Sequence, residues 1–492
     1  MGNNNDEETL TSNLIDPSSL DDPLPPYPKG EVQDPKCRDA WAAILFYAQL
    51  IAVCCVCGIL GVPAVQRSLN DGGGGQQEEQ EGAMDYTGLI YVTLTAAASA
   101  FILSTISLTL MTLCPKFLIQ LSLLFSLALS LLITATAFYY HQYIAGGFGI
   151  LFLVLSCCYA CCVWSRIPFA AANLNSGLSA VKKNGGVFVM SVMITVMSFG
   201  YSVLWMVAWV GVYDATGAAS ATAAGGEDAS STSFGGYSVL LLLALFWTQQ
   251  VFQNTIHVIV AGVVSTWWFA PDEASSCCSV AIKDSFVRAT TYSFGSICFG
   301  SLLVAIIQTL RQVLESIRNN DDTNDGCAAF VVCLVDCLLQ CLQGMLEYFN
   351  KFAYIYVGMY GYSYLEAGKN VMTLFHAKGW NIIIADDLVS NTLSLFTLIG
   401  GGLVGCVGLA TNAAFPSWLD GFEGAASGIA FGLAFLIGLV ITSIMLSVVD
   451  SSVNTVLVSF AEAPEEFELN HPELSGEMRD AWRLVYPAEC GF

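Results

Sequence analysis

The chain has 492 residues, 55% hydrophobic and only 12% charged, with a mean hydropathy of +0.62. Soluble domains carry about 25% charged residues, so this composition excludes a conventional soluble enzyme and a disordered chain. A net charge of −23 excludes a nucleic-acid binder, which needs clustered Lys and Arg.

Residues 1–40 are polar and acidic, include the Pro-rich DDPLPPYPKG, and read as a disordered cytosolic tail. They lack the basic start and short apolar core of a secretory signal peptide. Long uncharged blocks follow. A bilayer core about 30 Å thick needs roughly 20 apolar residues in helix. Ten spans are expected, near 41–65, 88–113, 117–140, 144–164, 187–213, 237–269, 289–311, 327–349, 388–411 and 424–448. Backbone groups in lipid must be paired within each segment, so the fold class is an all-α polytopic membrane helix bundle.

The sixth block is too long for one upright crossing and should tilt or project beyond the bilayer. The stretch 352–376 is ambiguous: Glu366 and Lys369 make its second half amphipathic. It is expected at the inner interface, with an eleventh crossing as the alternative. The core therefore runs over 41–448, followed by an acidic cytosolic tail over 449–492. With ten spans and the N-terminus inside, only Arg67, Arg311 and Arg318 of the 17 basic residues fall outside or at its border. That bias places both termini in the cytosol. The outer segments are acidic, which would gather cations.

The 18 cysteines lie mostly within spans and read as packing residues rather than metal ligands. No metal and no cofactor are expected. Gly401 and Gly405, and Gly424, Gly428 and Gly432, recur every four residues, a spacing that lets helices approach closely. No GxSxG, HExxH or P-loop is present, so an enzyme or an ATP-driven pump is not expected.

Several blocks resemble the choline transporter-like family. QNTIHVIVAGVVSTWWF at 253–269 has that family's His, Ala-Gly and aromatics. FVRATTYSFGSICFGSLLVAIIQTLR at 286–311 is similar to its Arg, Tyr, Gly-Ser, Gly-Ser and closing Arg pattern. NKFAYIYVGMYGYSYLEAGKN at 350–370 is similar to its Asn, Ala-Tyr-Ile and Tyr-Gly stretch. GWNIIIADDL and SSVNTVLVSFAEAPEEFELNHPEL resemble the fungal and plant branch, which has short outer loops. The resemblance implies a ten-span plasma-membrane transporter of choline or a related small organic cation such as ethanolamine. A channel-like or exchange pathway for other small amines and a non-transporting scaffold or lipid-handling protein are the competing readings.

Choline is a quaternary ammonium without an N–H, so its natural host is a set of aromatic faces with an acid nearby. The fifth span offers Tyr201, Trp205 and Trp209 on one face. The sixth offers Trp247, Gln253, Asn254 and His257, and the seventh Tyr292 and Ser296. Asp336 is the one acid expected near the middle of a span, and acids at that depth are functional candidates. For the aromatic stripe the alternative is lipid-facing or interfacial packing. For His257 it is an interhelical hydrogen bond.

Overall fold

The computed structural model describes residues 30–71, 87–216, 230–320, 326–378, 388–419 and 424–485. All regular structure among them is helical. Among the described residues, ten helices are long and apolar enough to cross a membrane.

Proline and the apolar runs set the helix boundaries. α1 (Ala40–Val56) continues through a π-helical turn, Cys57–Gly61, into α2 (Val62–Asp71). Pro63 has no N–H to return to the preceding turn, and the chain widens there. α3 (Thr87–Leu113) ends at Cys114, and Pro115 opens α4 (Pro115–Tyr139). Proline suits a first helical turn, where its missing N–H is not needed. α5 (Tyr143–Val163) passes through one tight turn into α6 (Ile167–Lys183), again with a proline at the start. α7 (Gly186–Ala215), α8 (Ser230–Phe269), the short α9 (Val280–Val287) and α10 (Phe294–Asn320) follow. The chain then forms α11 (Gly326–Tyr360), the short α12 (Tyr364–Ala377), α13 (Leu388–Ala414) and α14 (Ala426–Glu462). Two short helices close the described chain, α15 (Pro464–Asn470) and α16 (Pro472–Val485).

Three spans overrun the bilayer. α8, α11 and α14 have 40, 35 and 37 residues. At about 1.5 Å per residue each exceeds 50 Å, against a hydrocarbon core of about 30 Å. The excess lies at one end of the bundle, here called the base, where the backbone of Gly30 meets Glu462. Residues 258–265 of α8, 352–360 of α11 and 451–461 of α14 are all buried. Farther from the base the same helices expose apolar side chains such as Leu240, Leu338 and Leu436, as lipid-facing helices do. From 331 to 349, α11 has no buried residue.

The base is thus a packed layer rather than a set of loops. α15 and α16 dock onto it: the Trp482 indole is fully buried and donates to Asn173 Oδ1 at 3.0 Å. Trp268 donates to the Ala463 carbonyl at 3.0 Å, and its ring stacks on Phe467 at 4.0 Å.

Two boundaries differ from expectation. The stretch 352–376 makes no eleventh crossing, and its second half is amphipathic as expected, with Glu366 and Lys369 exposed and Ala367, Val371 and Leu374 buried. Residues 352–360 complete α11, the chain reverses at Gly361 (φ 78°), and α12 has only 14 residues. α14 also runs unbroken past 448 to Glu462. Its Ser and Thr residues resemble a polar tail in sequence, yet Ser452 donates to the Gly177 carbonyl at 2.8 Å and Thr455 to Ser451 O at 2.7 Å. Satisfied hydroxyls can be buried at little cost. Of the 1–40 tail, residues 1–29 lie outside the described residues; 30–38 form a non-helical segment across the base.

α13 and α14 pack through glycines, though not the full set expected. A Cβ on Gly408 would sit 2.5 Å from the Ala430 carbonyl oxygen, and one on Gly438 2.6 Å from Val404. Gly401 and Gly405 share this seam, whereas Gly424, Gly428 and Gly432 face open space. The expected packing role for the cysteines also fails for Cys157, Cys158, Cys161, Cys162, Cys333, Cys337 and Cys341, which are all exposed on the bundle surface.

Candidate functional site

A polar collar lies where the lipid-facing parts of the long helices meet the base. His257 on α8, Lys351 on α11 and Asp450 on α14 each stand at this junction. They are tied together. His257 Nε2 is 2.8 Å from the Lys351 carbonyl and Nδ1 is 2.7 Å from Ser451 Oγ. A carbonyl only accepts, so in the neutral ring Nε2 donates and Nδ1 accepts from Ser451. The Lys351 ammonium donates to Ser390 Oγ on α13 at 3.3 Å, and Ser390 donates to Asp450 Oδ1 at 2.5 Å. Asn454 donates to the other carboxylate oxygen at 3.1 Å. The collar thus pairs one ammonium with one carboxylate through a hydroxyl, joining four helices.

A second network adjoins it through α11. Asn254 donates to Ser301 on α10 at 3.0 Å, and Ser301 lies 3.4 Å from the Tyr354 hydroxyl. Tyr354 also donates to the Ile297 carbonyl at 3.1 Å. Asn350 donates to the Gly300 carbonyl at 3.2 Å and accepts from Tyr364 on α12. Interhelical hydrogen bonds between membrane segments contribute about 0.6–1.7 kcal/mol each. These contacts position α8, α10 and α11 relative to one another.

A cavity of 470 Å³ opens away from the base, lined by Phe246, Gln308, Arg311, Glu315, Asp336 and Gln343. Here Asp336 is not a lone carboxylate. Arg311 Nε donates to it at 2.9 Å and Arg311 Nη1 donates to Gln343 Oε1 at 2.9 Å. An acid at membrane depth is costly alone, and the arginine on the facing helix offsets that cost.

The aromatic stripe packs into a seam between helices. Tyr201 donates to the Ala244 carbonyl at 3.1 Å and Trp205 to the Leu241 carbonyl at 2.7 Å. Trp209 packs on Trp205 at 5.1 Å. All three fill the seam between α7 and α8, together with Val53 of α1. Trp247 faces α10 instead, donating to the Cys298 carbonyl at 2.9 Å, with its ring 5.4 Å from Phe46. The physical reason is the polar edge of each ring: a buried indole or phenol seeks an acceptor, and helix carbonyls supply one.

The other candidates also separate. Gln253 is exposed on the bundle surface. Tyr292 and Ser296 sit at the base: the Tyr292 carbonyl accepts from Arg38 N at 2.9 Å, and Ser296 donates to Asp39 at 2.7 Å. Asn254 and His257 alone among the candidates join the two polar networks. Lys351, Ser390 and Asp450 are not among the residues expected from sequence: Asp450 falls in the expected tail from 449, and the partners of Lys351 and Ser390 lie on other helices. The available signal was an isolated acid followed by Ser451 and Asn454 within one helical turn.

Residues 147–465 match the family described as plasma-membrane choline transporter. The match covers well over half of the chain and includes every collar residue. The chain belongs to this family. It is 29% identical to Protein PNS1 of Gibberella zeae, over 91% of this chain and 83% of that one. It is 28% identical to Protein PNS1 of Saccharomyces cerevisiae, over 93% of this chain and 85% of that one. Against Protein PNS1 of Candida albicans the identity is 29%, over 90% and 86%. The protein is an integral, multi-pass membrane protein of a transporter family.

Proposed function

We propose that the protein carries choline, or a closely related small organic cation, across the plasma membrane by alternating access, with the base on the cytosolic side. The observation that carries this reading is the collar: a half-buried ammonium and carboxylate linked through a hydroxyl, inside the part of the chain that matches the transporter family. The bias of basic residues toward the base supports its cytosolic placement.

The packed base and the open cavity near Asp336 support a conformation closed toward the cytosol. Trp247 and Tyr354 are buried in this conformation, and a cation entering from the far side would meet their faces only once the helices part; each face favours an ammonium by about 0.5–2 kcal/mol. Asn254 and His257 would meet its hydroxyl. At the collar it would compete with the Lys351 ammonium for the field of Asp450. A membrane potential, negative inside, favours entry by about 2.3 kcal/mol per charge per 100 mV.

The test is uptake of radiolabelled choline into proteoliposomes under an imposed potential, with ethanolamine as competitor. Saturable uptake that rises with the potential and falls in Asp450→Asn supports the reading. Absence of uptake at any potential overturns it and leaves the scaffold alternative. Stronger inhibition by ethanolamine than by unlabelled choline moves the cargo to primary amines.

A further inference from the structure

Residues 30–39 cross the base without regular structure, and four of their backbone N–H groups and the Asp39 carboxylate are bonded to distant parts of the chain. Gly30 N donates to Glu462 Oε1 at 2.5 Å, at the end of α14. Glu31 N donates to the Tyr362 hydroxyl at 3.1 Å, and Gln33 N to the Tyr360 carbonyl at 2.8 Å, at the end of α11. Arg38 N donates to the Tyr292 carbonyl at 2.9 Å, just before α10. The Asp39 carboxylate then accepts twice at one oxygen, from Ser296 Oγ at 2.7 Å and from Tyr364 N at 2.9 Å. One short segment therefore joins the base ends of α10, α11, α12 and α14.

The fit is close. A Cβ on Gly30 would come 2.5 Å from the Tyr360 ring. A Cβ on Gly295 would come 2.3 Å from the Arg38 carbonyl oxygen and 2.4 Å from that of Asp39. Asp39 itself holds a left-handed backbone, φ 49°, rare for a residue with a side chain. Yet Glu31, Val32, Asp34, Pro35, Lys36 and Cys37 are all exposed. The segment is held by hydrogen bonds with little apolar burial, the pattern of an element that opens locally before the core does.

We infer that residues 30–39 form a releasable latch that holds the base closed, with Asp39 as its clasp. This rests on the reading that the base is the closed end of a transport path. Helices that separate at the base must first lose the segment that spans their ends. Release bares Glu462 and the cluster of Tyr356, Tyr360 and Tyr362, whose rings lie 5.4–6.4 Å apart.

The test is hydrogen exchange on the full-length protein in lipid nanodiscs, comparing wild type with Asp39→Ala and Gly30→Leu. The first removes the clasp and the second displaces the segment by bulk at an exchange-reporting site. Either variant should speed exchange at least tenfold in residues 30–38 and also at the base ends of α11 and α14, while α3 and α4 keep their protection. Faster exchange confined to residues 30–38, with the base ends unchanged, overturns the latch. Unchanged exchange in both regions does the same. The readout needs no transport: a base that opens without cation flux keeps the latch and removes the transport reading, whereas flux with an unresponsive base removes the latch alone.

Discussion

The Ser296 hydroxyl donates to the Asp39 carboxylate at 2.7 Å across 257 residues of sequence. Ser296 is fully buried and Asp39 half-buried, so the bond sits at the edge of the packed base. Ser296→Ala should lower stability by about 1 kcal/mol, because a half-buried charged acceptor loses one of its two donors. Thermal unfolding in detergent reads this as a shift of a few degrees. An unchanged midpoint would show that the Tyr364 amide alone satisfies Asp39.

The α13–α14 seam makes a sharper contrast. Gly408→Val pushes atoms toward the Ala430 carbonyl, where even a Cβ would lie at 2.5 Å. Backbone cannot step aside as a flexible side chain can, so the cost should reach about 1–3 kcal/mol or more. Gly428 has no neighbour within 4 Å of its would-be Cβ. Gly428→Ala should therefore be neutral or stabilise by up to about 1 kcal/mol through helix propensity. Equal destabilisation by both variants would refute the seam.

Arg311 and Asp336 form an ion pair at 2.9 Å, with side chains 31% and 34% exposed. Asp336→Asn leaves Arg311 without its counter-charge at membrane depth, and Arg311→Met leaves the acid. Each single change should cost more than half of what the double change costs, with a coupling energy of about 1 kcal/mol. A double-mutant cycle on thermal stability measures it. Additive losses would mean that the pair contributes nothing beyond its separate contacts.

Docking of the C-terminal helices should depend on pH. The His471 ring stacks on Trp267 at 3.9 Å, and Nε2 lies 3.0 Å from the Trp267 carbonyl. Burial pushes its pKa below 6.5; the carbonyl hydrogen bond opposes this and the charge of Lys183 adds to it. The undocked ring then takes up a proton near its ordinary value while the docked ring resists. Docking is fully retained above the undocked pKa. It weakens as pH falls from there toward the lower docked value. Exchange in α15 and α16 should rise between about pH 7.5 and pH 5, after correction for intrinsic rates. His471→Gln should flatten that dependence; a profile unchanged by the substitution would assign it to other groups.

The spans were legible because the bilayer imposes a length and a polarity that local sequence must meet. The seventh starts later than expected, at Phe294, because Arg288–Tyr292 form a π-helical turn; the Arg288 guanidinium there reaches the Gly358 and Met359 carbonyls at 2.6 and 2.8 Å. The eighth and tenth end later, because polar residues that would mark an exit are hydrogen-bonded within the base. The site was less legible. His257 was found because a histidine within an apolar run is anomalous by itself. Trp205 and Asp336 were also anomalous, but their partners, Leu241 O and Arg311, lie on other helices and decide what each group does.

Chain composition by itself determined a multi-span helical membrane protein, since apolar surface and backbone pairing act residue by residue. Only the tertiary structure decided which polar groups meet. Lys351, Ser390 and Asp450 come from three helices, and Asp39 reaches Ser296 and Tyr364 across most of the chain. A hydrogen bond needs its partners within about 3 Å, and separation along the sequence says nothing about that distance until the helices are packed.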